Sequence, residues 1–340
     1  PHPKTPRCAM ALADVMQRAG ALDDDIRVVL DDDKNGAGAA LIKSGAFAGV
    51  SFVGSSQVAA RINLSLAQNA VENDAPLARL VAETGGLNAL VVDASALPEQ
   101  ACDAVLRSFA QSAGQRCSSA RVLILDNGVK HELLDMLSGG LQAMRVSADN
   151  LNCSTDVGPL ISTEAAQKAV DHCIELEANG STLVAKTIGS DDIDNGLFHP
   201  RVYDLNPSGQ NPVDALSQIT QELFAPVLHV LTYDGSRIEL RNVLDAMNAK
   251  GFALTGGVMT RCASTKALVT DTLNCGNFYV NRDVVGAVVE SQPFGGHGLS
   301  GNGAKAGSEN YLEQFVARKV VCEDTTAAGG NVELMRTTAA

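Results

Sequence analysis

The sequence predicts an α/β protein in which parallel strands carry most of the core. Short apolar runs alternate with longer segments of helical periodicity along most of the chain. The 31 glycines, the lack of tryptophan and an aromatic content of 4% suit a turn-rich core of alanine, valine and leucine. The 340 residues exceed the ~250 to 300 at which a single core usually stops growing. Two lobes are therefore expected.

The N-terminal half supports this class element by element. A helix is predicted at residues 7–20, where apolar side chains follow helical spacing and Gly20 ends the pattern. A turn at residues 34–38 precedes a second helical run. Strands are then predicted at 26–30, 49–53, 80–82, 89–92 and 121–125, and further helices at 57–68, 98–112 and 131–141.

The C-terminal half continues the alternation with one polar interruption, a surface loop expected at residues 189–196. The pattern then predicts a strand at 227–233, a helix at 238–249, a strand at 277–280, a glycine-rich segment at 292–307 and a last β-like run at 316–322.

Charge and cysteine usage narrow the class of function. Lysine and arginine total 26 against 39 acidic residues, a net charge of −13, so no nucleic-acid partner is expected. The eight cysteines show no CxxC or zinc-ligand spacing, which predicts no metal site and reduced thiols in a cytoplasmic protein. No apolar stretch approaches the ~18 residues of a membrane span, so no transmembrane segment is predicted.

Two glycine turns are candidates for phosphate binding. Residues 36–41 superficially fit a dinucleotide fingerprint, but the last glycine is missing and three acids precede the turn, so plain helix entry is favoured. Gly54 and Ser55 follow a predicted strand and open a helix, where backbone N–H groups point at one spot. Phosphate contact and an ordinary N-cap are both open there.

Cys117 and Glu83 are the candidate nucleophile and base. Cys117 is flanked by Gly, Gln, Arg and Ser, which is not core composition, although a buried filler role is open. A thiol of ordinary pKa ~8.5 needs a base at neutral pH. Glu83 follows a short apolar strand, whereas His172, His199 and His229 lie in contexts more typical of structural histidines. The sequence therefore favours a Cys–Glu pair over a Cys–His enzyme.

Two further segments suit ligand binding. Glu222 and Phe224 place an acid and an aromatic ring two residues apart before a strand, which suits holding a ribose and stacking on a planar ring. The segment 292–301 carries four glycines in its last seven residues, which suits a loop beside a ligand. A plain turn and a mobile surface loop are the alternatives.

Five motifs, in their order along the chain, resemble those of the aldehyde dehydrogenase superfamily. The matching segments are 52–55 (FVGS), 83–86 (ETGG), 114–117 (GQRC), 222–226 (ELFAP) and 293–296 (PFGG). The amino-acid sequence is most similar to that of the L-glutamate γ-semialdehyde (pyrroline-5-carboxylate) dehydrogenase modules of bifunctional proline utilization A proteins. That similarity spans nearly the whole chain and rests on segments 83–93, 112–117, 277–287, 301–312 and 325–331.

The resemblance implies an aldehyde dehydrogenase fold with a partial Rossmann-like cofactor lobe. Residues 1–84 would be the C-terminal part of an NAD-binding domain and residues 85–305 an α/β catalytic domain. Residues 306–340 would form a C-terminal segment with an oligomerisation strand and tail. A homo-oligomer and a fused or associated proline dehydrogenase domain, which uses FAD, are the implied partners.

The resemblance also assigns roles at the site. Cys117 would attack the aldehyde and form half the oxyanion site with its N–H group, and Glu83 would activate the hydrolytic water. The cofactor NAD would be held by Gly54 and Ser55 at the pyrophosphate, Glu222 at the nicotinamide ribose and Phe224 at the ring. The substrate would be held by Ser118, Gly286 and Ala287 at its α-carboxylate and by Phe294 at its methylenes.

Departures from the family pattern define the alternatives. Ala225 replaces a glycine, Val53 replaces a threonine, and Glu290 with Ser291 stand where smaller or apolar residues are usual. Family members carry an oxyanion asparagine and an adenosine-binding lysine upstream of a proline resembling Pro1. We therefore expect an N-terminally truncated piece that is inactive alone. Action on another aldehyde and a non-catalytic scaffold are the competing functions.

Overall fold

The computed structural model describes residues 1–22, 24–31, 36–149 and 151–323. Its strands are β1 (Gly49–Val53), β2 (Arg79–Glu83), β3 (Asn88–Val92), β4 (Ala120–Asp126), β5 (Thr182–Lys186), β6 (Arg201–Asp204), β7 (Val227–Tyr233), β8 (Phe252–Ala253), β9 (Thr255–Met259), β10 (Asn277–Val280) and β11 (His297–Gly298). Its α-helices are α1 (Pro6–Arg18), α2 (Ala37–Ser44), α3 (Ser56–Glu72), α4 (Pro98–Ala110), α5 (Lys130–Ala143), α6 (Thr163–Ala178), α7 (Pro212–Ala215), α8 (Arg237–Ala249) and α9 (Ala263–Thr272).

The described strands form one large sheet and two small two-stranded sheets. The seven-stranded sheet has the order β10-β9-β3-β4-β7-β6-β5, and its neighbours are parallel except β5 and β6. Strands β1 and β2 form a separate parallel pair, and β8 pairs with β11. The predicted boundary after residue 84 falls between β2 and β3, which belong to different sheets, and it stays a prediction.

The core lies around the middle of the large sheet. Every residue of β3, β4 and β7 is buried, as expected for central strands covered on both faces. Helices α4 and α5 add Phe109 and Leu137, neither of which is exposed to solvent. The prediction of a parallel α/β core is confirmed. No helix among the described residues is long and apolar enough to cross a lipid bilayer.

Two predicted strands are wrong within the described residues. Residues 26–30 and 316–322 have no strand conformation in the structure. Val29, Val320 and Val321 are exposed, at 45%, 84% and 76% of their maximum, so these apolar runs bury little. An extended segment becomes a strand only when its backbone pairs with a neighbour, and neither segment has such a neighbour among the residues that the structure describes.

Several elements escaped prediction, namely α6, α9, β5, β6 and β9. Strand β9 contains Gly256 and Gly257, which weaken any strand pattern in the sequence. Residues 34–35 of the predicted turn and the segment 325–331 lie outside the described residues.

Candidate active site

A cavity of about 690 Å³ lies between the β1–β2 pair and the seven-stranded sheet. It is bounded by the carboxyl ends of β1 and β2 and by residues that precede β4 and β7. The structure brings eight of the predicted site residues to its walls: Gly54, Ser55, Glu83, Cys117, Ser118, Phe224, Ala287 and Phe294. Glu222 lines a neighbouring polar cavity that shares Phe224 with the first. Gly286, next to Ala287, is outside the lining.

Residues 112–119, here named the Cys117 loop, join α4 to β4 through an unusual backbone turn. Ser112, Ala113 and Gly114 all adopt left-handed conformations, with φ of 56°, 54° and 66°. Such values are uncommon for residues with a side chain and cost of order 1 kcal/mol each. The turn ends α4 abruptly and directs the following residues toward the cavity, which Gln115 to Ser118 line.

Buried polar side chains hold the far end of this loop. Asn88 donates from Nδ2 to the carbonyls of Cys117 at 2.7 Å and Ser119 at 2.8 Å. Thr255 donates from Oγ1 to the carbonyl of Ser118 at 3.1 Å, and its N–H donates to Oδ1 of Asn88 at 3.0 Å. The nucleophile candidate is thus fixed to β3 and β9 through its own main chain.

Replacing Gly114 by alanine should destabilise the fold by about 2 to 4 kcal/mol. The new Cβ would lie 2.6 Å from backbone atoms of Ala225, which cannot rotate away, at a φ of +66°. Gly180→Ala is the matched control, because Gly180 has φ +88° with open space around it. Thermal unfolding of both variants gives the loss of stability in each, and the difference between the two losses is the steric contribution at Gly114. An equal loss in the two would contradict the close contact.

The Cys117 thiol is held in its protonated form. Burial raises the pKa of Cys117 above its ordinary value, and the negative charges of Glu222 and Glu83 raise it further. The N–H groups of Ser118 and Cys117 act in the opposite direction. Because an acid with a raised pKa ionises at higher pH, the thiolate is scarcer at neutral pH than in an ordinary cysteine.

Alkylation by iodoacetamide should show this directly. We expect Cys117 of the cofactor-free protein to react more slowly than the exposed Cys153 at pH 7, and its rate to keep rising above pH 9 because only the thiolate reacts. Peptide mass spectrometry over a pH series measures both rates in one sample. A plateau for Cys117 below pH 8 would contradict the raised pKa.

Glu83 ends β2 at the mouth of the cavity. Its carbonyl accepts from the N–H of Gly54 at 3.1 Å, which links the candidate base to the phosphate turn. Thr84 then bonds Ser300 and Leu299 through its N–H and hydroxyl, at 3.0 and 2.6 Å. Burial raises the pKa of the Glu83 carboxyl, so its carboxylate is a stronger proton acceptor than a fully solvated one.

The turn at Gly54 and Ser55 combines an N-cap with a close backbone approach. Ser55 accepts from the N–H of Val58 at 3.3 Å, which confirms the capping role at α3. A Cβ at Gly54 would lie 2.4 Å from the Phe52 ring. Beyond this turn, a largely apolar groove of about 620 Å³ runs between α2, β1 and α3.

Residues 222–226, here named the Glu222 turn, lie beside the Cys117 loop. Oε1 of Glu222 lies 3.4 Å from Nη2 of Arg121, and the Gly86 N–H also donates to its carboxylate. A Cβ at Gly85 would lie 1.6 Å from Oε2 of Glu222, so a larger residue there would have to displace this carboxylate. Burial raises the pKa of Glu222, and Arg121 opposes the rise.

The segment carrying Phe294 is fixed at both sides. Phe294 and Ala306 exchange backbone hydrogen bonds at 2.9 and 2.8 Å. Asn277 donates from Nδ2 to the carbonyl of Pro293 at 2.9 Å, and Lys305 donates to the carbonyl of Gly276. Phe294 therefore lines the cavity from a loop that is hydrogen-bonded on both sides.

Sequence reasoning missed the three residues that hold the site together, Asn88, Arg121 and Thr255. All three are buried and bond the main chain rather than a ligand. The available signal was a polar residue at the start of an apolar strand, as in Asn88 before Ala89–Val92 and Arg121 before Val122–Leu125.

The fold is that of an aldehyde dehydrogenase. Residues 1–321 match the model of the "Aldehyde dehydrogenase family", so the chain belongs to that family. The predicted fold and family are thereby confirmed.

Relatives and solved structures agree. The chain is 38% identical to the bifunctional protein PutA of Klebsiella aerogenes, over 94% of this chain and 24% of that protein. It is 30% identical to 1-pyrroline-5-carboxylate dehydrogenase of Staphylococcus saprophyticus, over 95% and 60%. A crystal structure of a Bradyrhizobium japonicum proline utilization A mutant superposes with a TM-score of 0.87 at 37% identity, covering 97% of this chain and 32% of that one. The chain thus spans about a quarter to three fifths of these relatives.

Proposed function

We propose that this chain carries the NAD-dependent oxidation of L-glutamate γ-semialdehyde, the hydrolysed form of pyrroline-5-carboxylate, to L-glutamate in proline catabolism. The observation that carries the proposal is the single cavity that holds the Cys117 thiol, the Glu83 carboxylate and the Gly54–Ser55 turn together. The names of the relatives support the choice of substrate. The family match by itself supports an oxidoreductase of the aldehyde dehydrogenase family.

The residues account for the chemistry in two stages. The Cys117 thiol gives its proton to solvent, and the thiolate adds to the aldehyde carbon. The C–S bond forms as the C=O π electrons move to oxygen, and the oxyanion of this thiohemiacetal accepts from the Cys117 N–H. After hydride loss the product on Cys117 is a thioester. Glu83 then takes a proton from water, whose oxygen attacks the thioester carbon, so the acid leaves and the thiol is regenerated.

The groove and the turn fit a dinucleotide. When bound, NAD⁺ supplies the hydride acceptor. The N-terminal N–H groups of α3 suit a pyrophosphate, and Gly54 leaves room where any Cβ would meet the Phe52 ring. The apolar groove of about 620 Å³ suits the adenine, while Glu222 and Phe224 suit the nicotinamide ribose and ring.

The residues around the proposed substrate position suit an amino-acid aldehyde. Ser118 and Ala287 line the cavity, and Gly286 adopts φ of +71°, which lets successive N–H groups turn toward a carboxylate. Phe294 supplies an apolar wall for the methylenes. Each charge-assisted hydrogen bond to the α-carboxylate contributes roughly 1.5 to 3 kcal/mol.

Kinetics with two aldehydes test this proposal. In the protein produced from its complete gene, kcat/KM for glutamate γ-semialdehyde should exceed that for propanal by about 10²-fold or more, because propanal has no α-carboxylate to accept these bonds. Similar values would reject the substrate while keeping the dehydrogenase. No NADH formation with either aldehyde would favour the non-catalytic scaffold.

Partners follow from the same proposal. The relative named bifunctional supports a fused or associated proline dehydrogenase domain that uses FAD and supplies the substrate. Residues 316–322, which have no strand neighbour in the described part of the chain, would pair with another copy in a homo-oligomer. A reduced Cys117 suits the cytoplasm.

A further inference from the structure

Arg121, the second residue of β4, connects the Cys117 loop to the Glu222 turn. The residue is only 1% exposed. Its Nη1 donates to the carbonyl of Gly114 at 2.7 Å and to that of Ala225 at 3.2 Å. One nitrogen therefore bonds both segments at once.

The second terminal nitrogen repeats this arrangement. Nη2 of Arg121 donates to the carbonyl of Arg116 at 3.1 Å and to Oε1 of Glu222 at 3.4 Å. The guanidinium carbon also lies 5.3 Å from the centre of the Phe224 ring. All five contacts belong to the two segments that carry the candidate nucleophile and the candidate ribose ligand.

Stability alone does not explain a buried cation here. Taking a guanidinium out of water is costly, and an apolar pair of similar volume is often as stable or more stable. Nε of Arg121 is buried without a hydrogen-bond partner, which adds a desolvation cost. What the guanidinium supplies is its fork of donors, which a lysine ammonium cannot reproduce.

The backbone of Arg121 is fixed as well. His229 donates from Nδ1 to the carbonyl of Arg121 at 2.8 Å. This leaves its Nε2 to accept from Nε2 of His172, at 2.8 Å. Burial lowers the pKa of His229 to about 3, so this ring stays neutral and keeps its acceptor nitrogen at physiological pH.

We propose that Arg121 is a positioning residue that joins the Cys117 loop to the Glu222 turn, so that the thiol and the ribose-binding carboxylate keep one relative placement. The proposal rests on the proposed function in so far as it concerns turnover. The physical link between the two segments is independent of it.

The test compares Arg121→Lys with Arg201→Lys in the full-length protein. Arg201, the first residue of β6, is a matched control because it is also buried and pairs with Asp191. Its guanidinium carbon lies 4.3 Å from the centre of the Phe198 ring. Hydrogen exchange read by mass spectrometry reports each segment, and steady-state kinetics report turnover.

We expect Arg121→Lys to accelerate exchange about 10-fold or more in both segments together, with the interior of β3 and β7 unchanged. Turnover should fall about 10²-fold, with the aldehyde KM changed less than about 3-fold, because misplacement acts on the reacting geometry. Arg201→Lys should change neither segment. Local acceleration without aldehyde oxidation in the unmodified protein would keep this inference and reject the proposed function.

Unchanged exchange in either segment, or a uniform acceleration like that of a generally destabilised fold, would overturn the inference. If Arg121→Lys does not fold, the double variant Arg121→Met with Glu222→Leu replaces the ion pair by an apolar pair. Its exchange at residues 114–118 must still accelerate. Protection equal to that of the unmodified protein would again reject the positioning role.

Discussion

Replacing Cys117 by alanine should lower aldehyde oxidation by about 10⁴-fold or more, because the covalent route disappears with the thiol. Affinity for NAD should stay within about twofold, since the groups suited to the cofactor belong to β1, α3 and the Glu222 turn. NADH formation and NAD binding by calorimetry, both on the full-length protein, give the two numbers.

The control for this variant is Cys153→Ala, which removes an exposed thiol outside the cavity lining. It should leave turnover unchanged. Residual activity of Cys117→Ala within about tenfold of the unmodified protein would reject the nucleophile assignment. Loss of NAD binding in the same variant would show instead that the substitution damaged the site as a whole.

Replacing Glu83 by glutamine should slow steady-state turnover by roughly 10² to 10⁴-fold, through loss of the base that activates water. The first turnover should remain fast, so a burst of NADH equal to the enzyme concentration precedes the slow phase. Glu83 raises the pKa of Cys117, so removing its charge lowers that pKa and speeds thiol alkylation at neutral pH.

Stopped-flow absorbance resolves the burst, and Glu72→Gln at the exposed end of α3 serves as the control. If Glu83→Gln abolishes the NADH burst as well as steady-state turnover, Glu83 acts in a step that precedes hydride loss. Unchanged steady-state turnover would remove Glu83 from the reaction.

Local sequence was enough to predict the centre of the fold and the candidate nucleophile and base, whereas Ser118, Gly286 and Ala287 came from the family resemblance. Strands β3, β4 and β7 are continuous apolar runs that only a covered parallel sheet can bury. Cys117 was found because a thiol flanked by Gly, Gln, Arg and Ser is unlike core composition, and Glu83 because it follows a short apolar strand. That both residues line one cavity depends on how the chain folds and not on either local segment.

Long-range polar contacts were beyond prediction. Arg121 bonds Ala225 across 104 residues and Thr255 bonds Asn88 across 167, and no local pattern reports such distances. The strands wrongly predicted at 26–30 and 316–322 show the same limit, because their apolar patterns specify an extended chain but not a neighbour for it. Local patterns therefore located the reactive groups, whereas tertiary contacts determine how they are held.

The most direct test of the account is the chemical identity of the intermediate on Cys117. Glu83→Gln protein mixed with glutamate γ-semialdehyde and NAD⁺, then acid-quenched and digested, should yield the Cys117 peptide as a glutamyl thioester. The adduct should be absent when NAD⁺ is omitted, since the thioester forms only after hydride loss. An unmodified Cys117 peptide during active NADH formation, or the adduct on another cysteine, would contradict the account.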